Sequence, residues 1–339
     1  MTQFVYSSSE LIDYYKSKGI TYDNVDSKIK LLLHPYNNER TVFFPYIGEF
    51  GTGVIKYLTR FHYINTKHKV ACIPRGYECF FPDAKEFIYD YPGPKWNEYN
   101  GDVWLFSEDM KSVRTMDHID ETIDNPKKEL GRFFKYFVWE AKPHIKHRSN
   151  FMKFIKSVYK DNYDVLGMPM RIILDPLTQK PVHLFAKIPF KNPNKYGIKV
   201  DVVFSNRNRS HDFRSFRKWD KIIEHLQKKG LVVGGIGKPC DAFVGRGVIN
   251  NFEYENPNEA MMEMLHSAKY YIGTDTGPTH IAMNFTHLRS LLFRMNDYSP
   301  DWISDYESEN TRIIHEMCKD INTFNDESIL IKHIDEFIV

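Results

Sequence analysis

The feature that most constrains the fold is the stretch from Tyr270 to Ala282, YYIGTDTGPTHIA. It begins with a short apolar segment typical of a buried strand, continues through a polar turn, and ends on residues that favour a helix. Thr276 or Thr279 is predicted to cap that helix, and Pro278 suits its first turn. A strand that leads directly into a helix is the basic unit of an α/β fold, so the sequence predicts that class.

The turn in this stretch is also suited to binding a phosphate or diphosphate. Gly273 and Gly277 allow the backbone to turn sharply or to approach a ligand closely. The N–H groups at the start of a helix and the positive end of its dipole attract anions. Asp275 and His280 flank the turn and could bind a ribose or a sugar. An ordinary strand-to-helix connection uses the same residue types, so spacing alone leaves both interpretations open.

Residues Asp275 to Ala282, DTGPTHIA, resemble the D-[ST]-G-x-x-H-x-A signature of the heptosyltransferase-like glycosyltransferases, glycosyltransferase family 9. The resemblance implies two Rossmann-like domains that face each other across a cleft, the GT-B architecture. It also implies that a nucleotide-diphosphate sugar binds the second domain and that an acceptor hydroxyl binds the first. The resemblance is specific between Val200 and Phe293 and vaguer over the first domain.

Length and composition are those of a soluble protein with two domains. The chain has 339 residues, of which 42% are hydrophobic and 27% charged, so each of two domains can bury a core. A net charge of +2 does not indicate a nucleic-acid-binding protein. The cysteines lack C-x-x-C spacing, which argues against a structural zinc site or a disulfide framework. Without a membrane-spanning run or a secretory signal pattern, we expect a cytoplasmic protein, with peripheral attachment to a membrane left open.

The first domain is predicted to open with a strand, a loop, a helix and a second strand. The strands are expected at 41–46 and 69–73, and the amphipathic helix between them at 54–64. An edge strand is expected at 86–89. Two later apolar segments, 168–174 and 182–188, are predicted to join the same sheet.

The loop after the first strand carries the predicted catalytic base. The resembled family has a Gly-Asp pair there, whose carboxylate is thought to remove the acceptor proton, and this chain has Gly48-Glu49. The resemblance thus implies Glu49 as the base and Gly48 as part of the acceptor site, since the chemistry needs only a positioned carboxylate. An exposed loop glutamate would look the same in sequence. Arg75 follows the second strand, where substrate-binding side chains lie in open sheets, and is predicted to contact the acceptor.

A basic segment at 142–160 is predicted to be helical. It concentrates Lys and Arg and includes His144 and His147, which have no nearby carboxylate and are poor metal ligands. Such a face could meet an anionic acceptor, a membrane surface or nucleic acid, and it is also typical of a solvated helix.

The second domain restarts the alternation of strands and helices after a linker-like segment at 190–197. We therefore predict domains at residues 1–192 and 193–320, with residues 321–339 forming a final helix that could pack back on the first domain. The predicted strands are 198–204, 269–273, 290–293 and one within 231–238, a range that also includes the glycine-rich turn after it. The predicted helices are 216–229, 258–268 and 328–337.

Basic residues after the first strand of this domain are predicted to bind the donor diphosphate. Arg207 and Arg209 suit this role because a guanidinium group binds phosphate oxygens in a forked geometry. Lys218 stands in a Lys-Trp-Asp sequence where the resembled family has Lys-Trp-Pro, whose lysine is taken to contact the donor. Gly235 is predicted to let a loop pass close to the nucleotide base. The remaining predicted donor residues are Asp275, Thr276, Gly277 and His280.

Together these features predict an inverting glycosyltransferase that transfers a sugar from a nucleotide-diphosphate sugar to a glycan or other hydroxyl acceptor. No cofactor and no metal are expected, because the resemblance implies that side chains and the helix end balance the charge of the leaving diphosphate. Two alternatives stay open. One is a nucleotide-sugar epimerase of the same fold, and the other is a non-catalytic polyanion-binding protein that uses residues 142–160.

Overall fold

A computed structural model describes two compact units of the chain. One unit is residues 6–184, and the other is residues 185–339 together with residues 1–5. Each unit contains a parallel sheet and helices, so the fold is α/β, as predicted. No helix among the described residues is both long and apolar enough to cross a membrane. The described residues are 17, 40–43, 45, 50–63, 66–92, 141–160, 163–166, 173–174, 181–182, 188–205, 219–237, 246–274, 276–293, 308–314 and 327–338.

The first unit has, within its described residues, a four-stranded parallel sheet in the order β3-β2-β1-β4. Its strands are β1 (Thr41–Phe43), β2 (Lys69–Cys72), β3 (Glu86–Ile88) and β4 (Asp164–Leu166). The first three lie inside predicted strands, with β3 at the edge as expected. The segments predicted at 168–174 and 182–188 do not join this sheet in their described residues. A separate antiparallel pair is formed by β5 (Ile173–Leu174) and β6 (Pro181–Val182), and Ile188 lies in no strand. Pro181 cannot donate to a ladder inside a sheet.

The helix that follows the Gly48-Glu49 loop begins four residues before its predicted start. It consists of α1 (Phe50–Thr52), a π-helical segment (Gly53–Leu58) and α2 (Thr59–Tyr63). The end of α2 is held by buried Lys69, whose Nζ donates to the carbonyls of Phe61 and His62 at 2.6 and 2.8 Å. The first residue of β2 therefore fixes the end of the helix that starts just after the predicted catalytic loop. Helix α3 (Ala141–Tyr159) covers most of the basic segment, as predicted.

The second unit has, among its described residues, a six-stranded parallel sheet in the order β12-β11-β10-β7-β8-β9. Its strands are β7 (Val202–Ser205), β8 (Val233–Ile236), β9 (Ile249–Asn250), β10 (Tyr270–Thr274), β11 (Arg289–Phe293) and β12 (Thr311–Ile314). The chain passes from β7 to β8 and β9, and then crosses to β10 and continues the other way. This is the strand order of the Rossmann fold, and its direction reverses between β7 and β10.

The helices of this unit agree with the predicted ones to within three residues. They are α4 (Trp219–Lys228), α5 (Pro257–Ser267), α6 (Gly277–Ala282) and α7 (Glu327–Phe337). Gly230, with φ of 80°, follows the end of α4. The sequence left open that α7 packs back on the first domain. The described contacts of α7 lie in the second unit, where Leu330, Ile334 and Phe337 join the core of the six-stranded sheet.

The strand predicted at 198–204 is shorter in the structure, because β7 begins only at Val202. The N–H groups of Ile198 and Val200 bond to side chains of α5 instead of to a neighbouring strand. The N–H of Ile198 donates to the carboxylate of Glu263, and the N–H of Val200 donates to the hydroxyl of Ser267, both at 3.2 Å. Ile198 and Val200 are buried, so their residue types indicated a strand.

Glu263→Gln is expected to lower the free energy of unfolding by about 2 kcal/mol at neutral pH, because hydrogen bonds to a charged acceptor are the stronger kind. The buried carboxylate of Glu263 also accepts from the N–H groups of Lys195 and Tyr196, the latter at 2.8 Å. Burial opposes the charge, but the N–H donors of residues 195–198 hold the pKa of Glu263 below its ordinary value.

The loss caused by Glu263→Gln should therefore depend on pH. A carboxyl group with a lowered pKa in the folded state stabilises the fold fully above its unfolded pKa of about 4.3, and this contribution disappears as the pH falls through the folded value. Urea unfolding of both proteins at neutral and at acid pH measures the effect. The difference between them should shrink in acid, and an equal difference at both pH values would show that the charge is not responsible.

Candidate functional site

The carboxyl ends of β7 and β10 meet in a cluster of buried hydroxyl groups. Ser205 Oγ lies 2.9 Å from Thr276 Oγ1, which lies 3.0 Å from Thr279 Oγ1. Tyr271 Oη lies 2.7 Å from Thr279 Oγ1, and the Thr279 hydroxyl donates to the carbonyl of Thr274 at 2.5 Å. All five residues are buried. The cluster ties the end of β7 to the turn after β10.

The donors in this hydroxyl cluster can be assigned because a hydroxyl group has one hydrogen and two lone pairs. The hydrogen of Thr279 is used on the Thr274 carbonyl, so Tyr271 and Thr276 both donate to Thr279. Ser205 then donates to Thr276. Burial raises the pKa of Tyr271, which keeps its phenol protonated as a donor.

Tyr271 reaches the cluster because the residue two positions along the strand is glycine. Side chains at i and i+2 of a strand point to the same face of the sheet. A Cβ atom on Gly273 would lie 2.7 Å from Tyr271 Oη and 2.9 Å from its Cζ. The sequence suggested Gly273 for a sharp turn or for close approach to a ligand. In the structure it lies inside β10 and makes room for the tyrosine ring.

The prediction that Thr276 or Thr279 caps the following helix is wrong. Thr276 occupies the position before α6, but its side chain makes no capping hydrogen bond, and Thr279 lies inside the helix. Both hydroxyls are engaged in the cluster instead. The hydroxyl of Thr274, also buried at this edge, has no hydrogen-bond partner among the described residues.

The structure brings three predicted donor residues together after β10, namely Thr276, Gly277 and the buried His280. Ser205 is the last residue of β7 and lies against Thr276. Ser205, the last described residue before Arg207 and Arg209 in the sequence, therefore lies beside this turn. The predicted residues Arg207, Arg209, Lys218 and Asp275 themselves lie outside the described residues.

Gly235 lies within β8, where the sequence predicted a glycine-rich turn. A Cβ atom there would lie 2.8 Å from Asn250 Oδ1 and 3.1 Å from Val248 Cγ1, so packing against the neighbouring strand explains the glycine. A contact of Gly235 with a nucleotide stays a prediction. The tryptophan of the Lys-Trp pair, Trp219, is the first residue of α4 and is buried, with its ring 5.9 Å from that of Phe204.

In the first unit, Arg75 lies on the surface beyond the carboxyl end of β2. Its guanidinium group lies 4.4 Å from the centre of the Tyr89 ring and 3.4 Å from the carboxylate of Asp90. The side chain is 71% exposed, so it can contact a ligand, and its contact with an acceptor stays a prediction. Gly48 and Glu49 lie outside the described residues. No cluster of three or more His, Cys, Asp or Glu that could hold a metal is present in the described part of the chain.

Sequence reasoning missed Ser205 and Tyr271. Ser205 is the polar residue that ends the buried strand VVFS, which is a usable signal in an open parallel sheet. Tyr271 stands in a Tyr-x-Gly sequence inside a strand, and a glycine there indicates that something approaches the backbone closely.

By sequence, no protein-family model and no curated protein matches the chain. Solved structures do resemble it. The E. coli heptosyltransferase WaaC with ADP-2-deoxy-2-fluoro heptose has a TM-score of 0.42 and 12% identity, over 88% of this chain and 99% of that one. The E. coli ADP-heptose lps heptosyltransferase II has a TM-score of 0.41 and 11% identity over the same shares. The glycosyl transferase family 9 protein from Veillonella parvula has a TM-score of 0.39 and 10% identity, over 89% of this chain and 90% of that one.

Proposed function

We propose that this chain is a glycosyltransferase that transfers a sugar from a nucleotide-diphosphate sugar to an acceptor hydroxyl. The observation that carries the proposal is the position of the signature turn. It follows β10 at the point where the strand order reverses, and hydroxyl groups hold it against the end of β7. Open α/β sheets bind their ligands at the carboxyl ends of the strands at this point.

In the proposed donor site, the turn after β10 holds the sugar and the phosphates. The hydroxyl of Thr276 is engaged in the cluster, so Thr276 contributes through its backbone, and Asp275 contributes its carboxylate. The unpartnered hydroxyl of Thr274 is consistent with a polar group bound at this edge, because buried polar atoms nearly always find a partner. Arg207, Arg209 and Lys218 stabilise the charge that builds on the leaving diphosphate, without a metal.

In the proposed acceptor site, Glu49 removes the proton of the acceptor hydroxyl as it attacks the anomeric carbon, which inverts the configuration. The loop that carries Glu49 follows β1. In the described part of the first sheet, β2 and β3 lie on one side of β1 and β4 on the other, so the strand order also reverses beside β1. Gly48 and the exposed Arg75 contribute to the same site. The proposal includes the GT-B arrangement, in which two Rossmann-like domains face each other across a cleft.

A thermal-shift screen of nucleoside diphosphates and nucleotide-diphosphate sugars tests the donor site. A ligand that binds only the native state stabilises it, by about 2.7 kcal/mol at one hundred times its Kd. We expect the melting temperature of the wild type to rise with one nucleotide, and Asp275→Ala to lose that rise. Asp275→Asn is the closer control, because it keeps the shape of the side chain and removes its charge. No rise with any nucleotide would overturn the proposal.

A further inference from the structure

Helix α3 carries exposed lysines on the side that faces away from the first sheet. Residues 141–160 contain six Lys or Arg residues and no Asp or Glu. Phe151 and Ile155 are fully buried in the core of the first unit, so they mark the inner side of the helix. Lys153 and Lys156 are exposed on the outer side of the helix, and Lys160, also exposed, directly follows its last residue with a φ of 59°. We refer to these three residues as the lysine stripe.

No carboxylate among the described residues pairs with the lysine stripe. Some exposed lysines of the second unit have partners, with Lys195 3.2 Å from Glu259 and Lys221 2.5 Å from Glu327, whereas Lys191, Lys199 and Lys228 pair with no described carboxylate. Like charges three or four residues apart weaken a helix, so the stripe reduces the stability of α3 in the isolated protein. An anionic partner from outside the chain would compensate for this repulsion.

Contacts of its inner side show how α3 lies on the sheet. The ring of Phe151 is 6.4 Å from that of Tyr91, which lies beyond the carboxyl end of β3. The hydroxyl of Tyr159 donates to Glu86, at the amino end of the same strand. Helix α3 therefore runs antiparallel to β3 with the lysine stripe outward. The helix has 19 residues, which corresponds to about 28 Å, and a flat surface can lie along it.

We propose that the lysine stripe docks the protein on an anionic phospholipid surface. In sequence, Lys142 and Lys146 continue the helical spacing, and four to eight basic residues on one helix are typical of binding to anionic headgroups. A nucleic-acid surface typically adds arginine forks and stacking aromatic residues. The other exposed residues in the described part of the helix are Asn150, Ser157 and Val158, which offer neither. Val158, 48% exposed, is a single small apolar side chain, so the docking is mainly electrostatic. This inference does not depend on the proposed transfer reaction.

Sedimentation with phospholipid vesicles tests the proposal on the whole chain. The wild type is expected to bind vesicles that contain phosphatidylserine and not vesicles of phosphatidylcholine alone, with binding that weakens as salt is added. A triple variant, Lys153→Glu, Lys156→Glu and Lys160→Glu, is expected to lower the affinity at least about 100-fold, from roughly fivefold for each lysine. The matched control reverses three exposed lysines of the second unit, namely Lys191, Lys199 and Lys228. It changes the net charge equally and should bind almost as the wild type does.

The stripe variant should fold, because all three side chains are exposed and the repulsion between the new carboxylates is similar to that between the lysines they replace. If that variant does not fold, the corresponding triple Lys→Gln variant takes its place in the assay. The proposal is overturned if the wild type does not bind phosphatidylserine vesicles at low salt, or if the control variant loses as much affinity as the stripe variant. Binding of RNA through the stripe without binding of vesicles would also overturn it. None of these results affects the nucleotide screen, so the two proposals fail separately.

Discussion

Glu49→Gln is expected to lower kcat for sugar transfer by about 10²- to 10⁴-fold, the contribution of a positioned general base. An amide cannot take the proton from the acceptor hydroxyl. The hydroxyl is therefore a weaker nucleophile when it attacks the anomeric carbon. The proposed donor residues belong to the other unit, so the rise in melting temperature with nucleotide should be the same as in the wild type. The measurement is the release of nucleoside diphosphate from the donor that the thermal-shift screen identifies, at saturating concentration.

Glu49→Asp is the matched control for this prediction. It keeps the carboxylate, shortens the side chain by one methylene, and produces the Gly-Asp pair of the resembled family. We expect it to retain activity well above that of the amide variant. Equal losses in both variants would mean that the position of the side chain matters and its charge does not. An amide variant with the kcat of the wild type would exclude Glu49 as the base.

The helices and four of the six described strands of the second unit were predictable because these strands are buried apolar runs between amphipathic helices. The strands β9, with two residues, and β12 were not predicted. The start of β7 was also missed, since Glu263 and Ser267 of α5 accept from the N–H groups of Ile198 and Val200. In the first sheet, β4 has three residues and carries too short a pattern to stand out. The longer apolar segment after it, 168–174, was predicted to be the strand instead, but its described residues pair with β6.

The location of the candidate site was predictable, but its internal contacts were not. The DTGPTHIA signature is contiguous, so the sequence could name Thr276, Gly277 and His280. The partner of Thr276 is Ser205, 71 positions earlier, and only the pairing of β7 with β10 brings the two together. Local sequence rules therefore predicted that the Thr276 hydroxyl caps the helix, whereas in the structure it bonds to Ser205 and Thr279. Gly273 was likewise assigned to a turn or a ligand contact, whereas a glycine is needed there to make room for the ring of Tyr271.

Gly273→Ala is expected to lower the free energy of unfolding by about 3 kcal/mol, the upper part of the range for overpacking a core. The added methyl group would lie 2.7 Å from both Cε1 and Oη of Tyr271. That ring cannot move aside cheaply, because it is fully buried and its hydroxyl is held by Thr279. Urea unfolding measures the loss.

A double-mutant cycle with Tyr271→Val identifies the cause of this loss. Removing the ring frees the space that the methyl group needs, so the double variant should be more stable than the sum of the two single losses predicts, by about 1–3 kcal/mol. Tyr271→Phe is the matched control: it deletes the hydroxyl but keeps Cε1 and Cζ, which would still lie 2.7 and 2.9 Å from the new methyl group. It should therefore not rescue Gly273→Ala. Additive losses with Tyr271→Val would mean that the ring does not lie over Gly273, and rescue by Tyr271→Phe would assign the conflict to the hydroxyl alone.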